Sequence, residues 1–246
     1  AADRSVVLRE AVRELSRNMG WHCSFAPKTE VGGVGNGVHI HFSFQDSDKR
    51  PVTYDPARPG GVSSLAGSFV AGIIRHLPAL IAFTAPSPIS ALRLQPHHWS
   101  SSYTWFGDRD REASLRICPV NRIGAADPAR AFNIEYRPAD ATACPHLALA
   151  VMVRAGIEGI REKLPAPPLF AGDPATLSEV DRAALGLHRL PGSLDAALDA
   201  LTADKTVNGW FDPLAMQTYC GMKRMEIKLA GTAIDDGLCR RYAGIY

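Results

Sequence analysis

Polar and apolar positions alternate with period two along Val38-His39-Ile40-His41-Phe42-Ser43-Phe44. As a strand, the segment sends Val38, Ile40, Phe42 and Phe44 to one face and His39, His41 and Ser43 to the other. Phe132-Asn133-Ile134-Glu135-Tyr136-Arg137 repeats the pattern, with Ile134 and Tyr136 opposite Asn133, Glu135 and Arg137. Such a polar face either lines a cleft or is the wet side of a half-exposed sheet, and alternation alone leaves both readings open. Between and around these strands the period changes to that of helices. Leu8, Ala11, Val12, Leu15 and Met19 predict an opening amphipathic helix from about Ser5, ending before Gly20. Ser64 to Phe83 reads as a second helix with Leu65, Phe69, Ile73, Leu77 and Leu80 on its core face. Pro145 opens a third, running from Leu147 to Ile160 and too interrupted by His146, Arg154 and Glu158 to span a membrane. Pro165, Pro167, Pro168 and Pro174 then mark a surface excursion. Three shorter helices follow, at about Leu177 to Leu185, Ser193 to Leu201 and Pro213 to Leu229, and Met216, Met222 and Met225 on the last read as packing.

The 246 residues suffice for one sizeable core, 46% are hydrophobic, and a single domain over 1–246 is the simplest count. A net charge of +2 argues against a general nucleic-acid surface. Cys23, Cys118, Cys144, Cys220 and Cys239 are odd in number and show no paired spacing, which fits reduced thiols in a cytoplasmic protein. The first residues read as helix and carry no secretion signal.

The charge distribution says more than the total. No lysine falls between Lys49 and Lys163, a stretch that holds Arg93, Arg109, Arg111, Arg116, Arg122, Arg130 and Arg137. Guanidinium groups give two-pronged recognition of carboxylate and phosphate, so a small, multiply anionic ligand fits. Surface pairing with Asp108, Asp110, Glu112 and Asp127 is the alternative. Directly before the first strand, Val31-Gly32-Gly33-Val34-Gly35-Asn36-Gly37 gives a backbone able to approach a ligand closely or simply to turn. It is neither the dinucleotide nor the P-loop fingerprint.

Four ordered motifs carry a family resemblance. They are Gly35-Asn36-Gly37-Val38-His39-Ile40-His41-Phe42-Ser43, the run Ala82 to Pro96 with Arg93 inside it, Asp110-Arg111-Glu112-Ala113-Ser114-Leu115-Arg116-Ile117, and Ile134-Glu135-Tyr136-Arg137-Pro138-Ala139-Asp140. In order and spacing they resemble the catalytic domain of glutamine synthetase and its amide-forming relatives, and the resemblance runs on to Arg241-Tyr242-Ala243-Gly244-Ile245-Tyr246. It implies an α+β fold, a curved antiparallel sheet with helices packed outside. It also implies an ATP-dependent ligase in which the glutamate γ-carboxylate attacks ATP to give an acyl phosphate, which an amine displaces. ATP and Mg2+ or Mn2+ are the implied cofactors, and glutamate and an amine the partners. The resemblance also implies a homo-oligomer, ring-like when the full chain is present.

By the same resemblance, His39 and Glu135 are metal ligands on the ATP side. His41 and Ser43 contact ATP, Arg111 and Arg116 grip its phosphates, and Arg93 and Arg137 hold glutamate and the transferred phosphoryl group. The Gly35 loop offers backbone to the substrate amino acid. Two departures shape the expectation. Trp99 stands where ammonia-using members place a glutamate that forms the ammonium site and takes its proton, and an indole suits an apolar or cationic organic amine instead. His97 or His98 is the replacement base, if either is more than surface. Phe170 stands where some bacterial members carry a regulatory tyrosine, so that nucleotidylation switch is not expected. Finally, Ala1-Ala2-Asp3 begins beyond the family's small beta-grasp domain and early carboxylate-bearing segment. Either the chain belongs to an active ligase and is a poor catalyst alone, or it is a non-catalytic relative that binds nucleotide or amino acid as a regulatory subunit.

Overall fold

The computed structural model describes residues 1–120 and 127–246. In chain order the helices are α1 (Ala2–Asn18), α2 (Ser64–Thr84), α3 (Pro128–Ala131), α4 (Pro145–Arg161), α5 (Glu179–Ala184), α6 (Leu194–Ala203), α7 (Lys205–Asn208), α8 (Pro213–Ala230) and α9 (Asp236–Ile245). The strands are β1 (Ile40–Phe42), β2 (Phe106–Asp108), β3 (Leu115–Ile117) and β4 (Ile134–Tyr136), each three residues long. Their order in the sheet is β1-β4-β3-β2.

The molecule is built on α2. Ser63 caps its first turn by accepting from the Ala66 N–H, and Phe69, Ile73, Leu77 and Leu80 are buried as the spacing predicts, while Leu65 is 37% exposed. By length and composition α2 could cross a membrane, but 67% of its most apolar window is buried inside this fold, which makes it the central core helix. It packs on α4, α6 and α7 and, through Phe69, on Phe42 and Phe44 of the first strand segment. The α2–α4 crossing is a backbone contact. A Cβ on Gly72 would fall 2.2 Å from the Ala155 carbonyl oxygen, and one on Gly159 would fall 2.1 Å from that of Ser68. Only glycine fits at either position.

The sheet is mixed, a correction to the purely antiparallel expectation. β1/β4 and β4/β3 are antiparallel, but β2 and β3 run parallel although only Arg109 to Ser114 connect them. Parallel neighbours ordinarily need a long crossover. Here the connection doubles back within itself: Arg109 adopts φ +61°, Trp105 Nε1 donates to the Glu112 carbonyl at 2.9 Å, and the Leu115 N–H donates to the Trp105 carbonyl. The apolar face of the sheet, Phe106, Leu115, Ile117, Ile134 and Tyr136, joins the α2 core, where Tyr136 and Thr84 share a hydroxyl hydrogen bond of 2.8 Å.

Two helical readings differ from what packing allows. α1 forms, but none of its residues is buried, and Leu8 and Leu15 remain 65% and 62% exposed, the main packing of the helix being on α4. Side-chain ties hold it in place, Arg9 donating to the Ala141 carbonyl at 2.7 Å and Arg13 to that of Tyr246 at 3.0 Å. On α8, Met216 is core as expected, but Met222 and Met225 are 64% and 54% exposed, since that face of the helix has no described partner. Helical spacing marks a face without supplying what covers it.

Candidate active site

The sheet's polar face is organised by register. His41 pairs with Glu135 and Glu135 with Arg116, so an imidazole, a carboxylate and a guanidinium lie in one row across three strands. Glu135, central in that row, is 1% exposed. Its Oε1 meets Arg137 Nη1 in a short ion pair and lies 2.7 Å from Arg116 Nε, the latter close but without hydrogen-bond alignment. Its Oε2 lies 3.1 Å from His41 Nε2 and 3.5 Å from Cys118 Sγ. Burial alone would raise the Glu135 pKa, but the hydrogen bond and charge of Arg137, with the close Arg116 guanidinium, hold it below the usual carboxylate range. The carboxylate is therefore ionised at neutral pH.

Arg137 spans the site. Besides Glu135 it donates from Nε to the Arg111 carbonyl at 3.0 Å and from Nη2 to the Trp99 carbonyl at 3.1 Å, and it is 3% exposed. Arg93, also 3% exposed, turns the other way. Its Nη2 donates to the carbonyls of Pro138 and Ala139, at 2.5 and 2.9 Å, and its Nη1 to Ser100 Oγ at 2.8 Å, while its Nε has no partner among the described residues. The glycine loop lies on this side chain, since Cβ atoms on Gly35 and Gly37 would fall 2.7 Å from Arg93 Cγ and Nη1. Gly35 is thus placed beside Arg93, with no room for a side chain between them.

The loop bearing Trp99 is fastened by both arginines, at the Trp99 carbonyl and the Ser100 hydroxyl. The indole itself is 74% exposed, on a backbone at φ +51° that a bulky residue rarely adopts. His97, also at positive φ, donates its N–H to Glu112 and sets Nε2 2.7 Å from Asp173 Oδ2, which raises its pKa. The ring is thus turned to Asp173, while His98 is exposed.

The remaining sequence-derived candidates are not all brought to Glu135. His39 directly precedes β1 and feels the charges of Arg137, Arg93 and Arg116. Desolvation first, and then Arg137, push its pKa down to about 4 against the opposing pull of Glu135, so the imidazole is neutral at pH 7. Direct contact with Glu135 is made by His41. Arg111 has an exposed side chain, and Ser43 lines a separate hollow of about 150 Å³ with Lys49 and Arg130. Arg122, in the arginine series, lies outside the described residues. A cavity of about 410 Å³ opens beside His39 and His41, between α1, β1 and the start of α4, with Phe25, Val38 and Asp140 in its wall. Asn133, on the polar face that the alternation predicts, meets His41, and Cys118 is the site neighbour that sequence reasoning did not single out. Extending the alternation of Leu115-Arg116-Ile117 by one residue would have put Cys118 on the face of Arg116.

A neutral imidazole and an ionised carboxylate are donors suited to Mg2+ or Mn2+, with phosphate oxygens and water completing the shell, so His39 and Glu135 fit the metal that the fold implies. Two guanidinium groups, the buried Arg137 and the half-buried Arg116, on one glutamate leave a local excess of positive charge, which a multiply anionic ligand would balance.

The family model for the glutamine synthetase catalytic domain matches residues 1–242, and the chain belongs to the family. It is 39% identical over its whole length to a gamma-glutamylpolyamine synthetase of Streptomyces coelicolor, of which it covers 52%. It is 32% identical over 242 residues to a glutamine synthetase of Methanocaldococcus jannaschii, again covering 52%. A crystal structure described as a novel glutamine synthase homolog superposes with a TM-score of 0.87 at 44% identity, over all of this chain and 54% of that one. The chain thus spans about half the length of the relatives it matches.

Proposed function

We propose that this chain is the C-terminal catalytic part of an ATP-dependent ligase that joins the γ-carboxylate of glutamate to an organic amine. A γ-carboxylate oxygen attacks the γ-phosphorus of ATP, ADP leaves, and the amine nitrogen then attacks the acyl carbon, expelling phosphate and losing a proton. Such chemistry is mostly positioning and charge stabilisation. Arg137 holds the carboxylate and phosphoryl oxygens, with Arg93 fixing the loop and strand end around it. Arg116 and Arg111 face the nucleotide phosphates, and His41 and Ser43 the nucleotide. A divalent metal at His39 and Glu135 supplies charge neutralisation on the phosphates when bound.

The observation that carries the amine reading is the Trp99 loop. Arg137 holds its backbone at the Trp99 carbonyl and Arg93 its Ser100 hydroxyl, and what it presents is an exposed indole in place of a carboxylate. A ring face attracts a substituted ammonium by packing and by its quadrupole, whereas a small ammonium ion has lost its counter-ion. The name of the Streptomyces relative supports the same direction, since a polyamine is such an amine.

Coupled ATP hydrolysis by the full-length protein, with glutamate and a panel of ammonia, alkylamines, polyamines and aromatic amines, tests the reading. A substituted amine is expected to be the best nucleophile, and Trp99→Glu is expected to shift preference toward ammonia. Ammonia as the best substrate, unaffected by Trp99→Glu, refutes it. No turnover with any amine transfers the weight to a non-catalytic subunit.

A further inference from the structure

We propose that Cys118, His41 and Glu135 form a site for a thiophilic divalent cation, of which Zn2+ is the type, sharing Glu135 with the His39 and Glu135 pair but adding a thiol and a different imidazole. One ligand atom from each of the three lies within 4.8 Å of the others. The distances suit a tetrahedral ion. With Zn–N and Zn–O near 2.0 Å and Zn–S near 2.3 Å, tetrahedral angles place the N and O ligands about 3.3 Å apart and the O and S ligands about 3.5 Å apart. His41 Nε2 is 3.1 Å from Glu135 Oε2, and Cys118 Sγ is 3.5 Å from the same oxygen. Sγ is also 3.5 Å from Nδ1 of the ring, so a small turn of the exposed imidazole brings Nε2 to bear on the ion.

The surrounding hydrogen bonds leave the right atoms free. Asn133 Nδ2 donates to the Ala131 carbonyl at 2.9 Å, which fixes its amide and turns Oδ1 toward His41 Nδ1 at 2.8 Å. With the proton on Nδ1, the lone pair of Nε2 faces the lone pairs of Glu135 Oε2. Two acceptors at that separation need either a proton or a cation between them. The arginines do not supply it, because Arg116 and Arg137 both engage Oε1. The Cys118 thiol is the third donor to the same gap, and a hydrogen-bonded imidazole held by an outer carbonyl is the arrangement that orients a metal ligand. Binding replaces the S–H proton by the metal ion and releases that proton to solvent, leaving a fourth position open. A hard cation gains little from sulfur, so the site selects thiophilic metals over Mg2+. Because the ion would hold Glu135 and His41 together, its binding excludes them from the nucleotide side of the sheet.

Cobalt titration of the reduced full-length protein reads the site directly, without reference to turnover. Co2+ is expected to give thiolate-to-cobalt charge-transfer absorption, displaced by Zn2+ and unaffected by excess Mg2+. Cys118→Ser is expected to abolish the band. His41→Ala, at a half-exposed side chain, is expected to weaken binding at least tenfold with an unchanged circular dichroism spectrum. Absence of the band, its persistence in Cys118→Ser, or unchanged affinity in His41→Ala would each overturn the proposal.

Discussion

Where α2 crosses α4, two backbones touch because Gly72 and Gly159 have no side chains, and the surroundings are apolar. Where β4 runs through the sheet, Glu135 is as thoroughly buried, but among two guanidinium groups, an imidazole and a thiol. The first region tolerates no added atom. The second tolerates no removed charge, because each ion was taken out of water against the promise of its partners. Packing is therefore a matter of volume in the one and of compensation in the other, and only the second has chemistry to offer.

Removing the charge at the centre of the polar row is expected to have the largest effect. Glu135→Ala strands Arg137 and Arg116 around an uncompensated hole, at a cost of about 3 to 5 kcal/mol in unfolding free energy, read by denaturant titration. An unchanged midpoint and slope would show that the row is solvated and that the contrast between the regions is false. Next, Arg137→Lys in the full-length protein keeps a cation but loses the planar fork that serves Glu135, Arg111 and Trp99 together. The expected loss in kcat/KM corresponds to about 2 to 4 kcal/mol of transition-state stabilisation, and wild-type kinetics would remove Arg137 from the mechanism. In the helical core, Gly72→Ala forces a methyl against the Ala155 carbonyl and is expected to cost about 1 to 3 kcal/mol in stability. A neutral result there would mean that the two helices separate freely.

The smallest effect belongs to the surface pair that holds the Trp99 loop. The hydrogen bond from Asp173 raises His97 above its ordinary 6.5, and His97, with the Ala175 N–H, lowers Asp173 below 3.8. The pair's contribution is therefore fully present between those two ordinary values. It is lost on the alkaline side as pH rises through the raised His97 pKa, and on the acid side as pH falls through the lowered Asp173 pKa. An NMR titration of the His97 ring should show its pKa fall toward 6.5 in Asp173→Asn. If it does not move, the loop is held by the arginines alone.

Much of this was legible in the order of residues. The period of α2, the proline at the start of α4 and the alternation through His41 and Glu135 each follow from local geometry, because side-chain direction is set by the dihedrals of the element itself. The same alternation put His39 with His41 and Glu135 with Arg137. The motifs with Gly35, Arg93, Arg116 and Glu135 carried the family, since their residue types and order survive without any knowledge of distance. What the sequence could not contain is which neighbours meet across space. The parallel pairing of β2 with β3 depends on a connection that bonds to itself, and the exposure of Met222, Met225 and α1 depends on what is absent opposite them. That Arg93 spends its donors on carbonyls while Arg137 spends one on Glu135 is likewise decided by the sheet's edge and register. Cys118 shows the division most plainly. As a residue it was one unpaired thiol among five, and strand pairing places it 3.5 Å from the carboxylate at the centre of the site. Local preference sets the face on which a side chain lies, and long-range pairing alone sets what that face confronts.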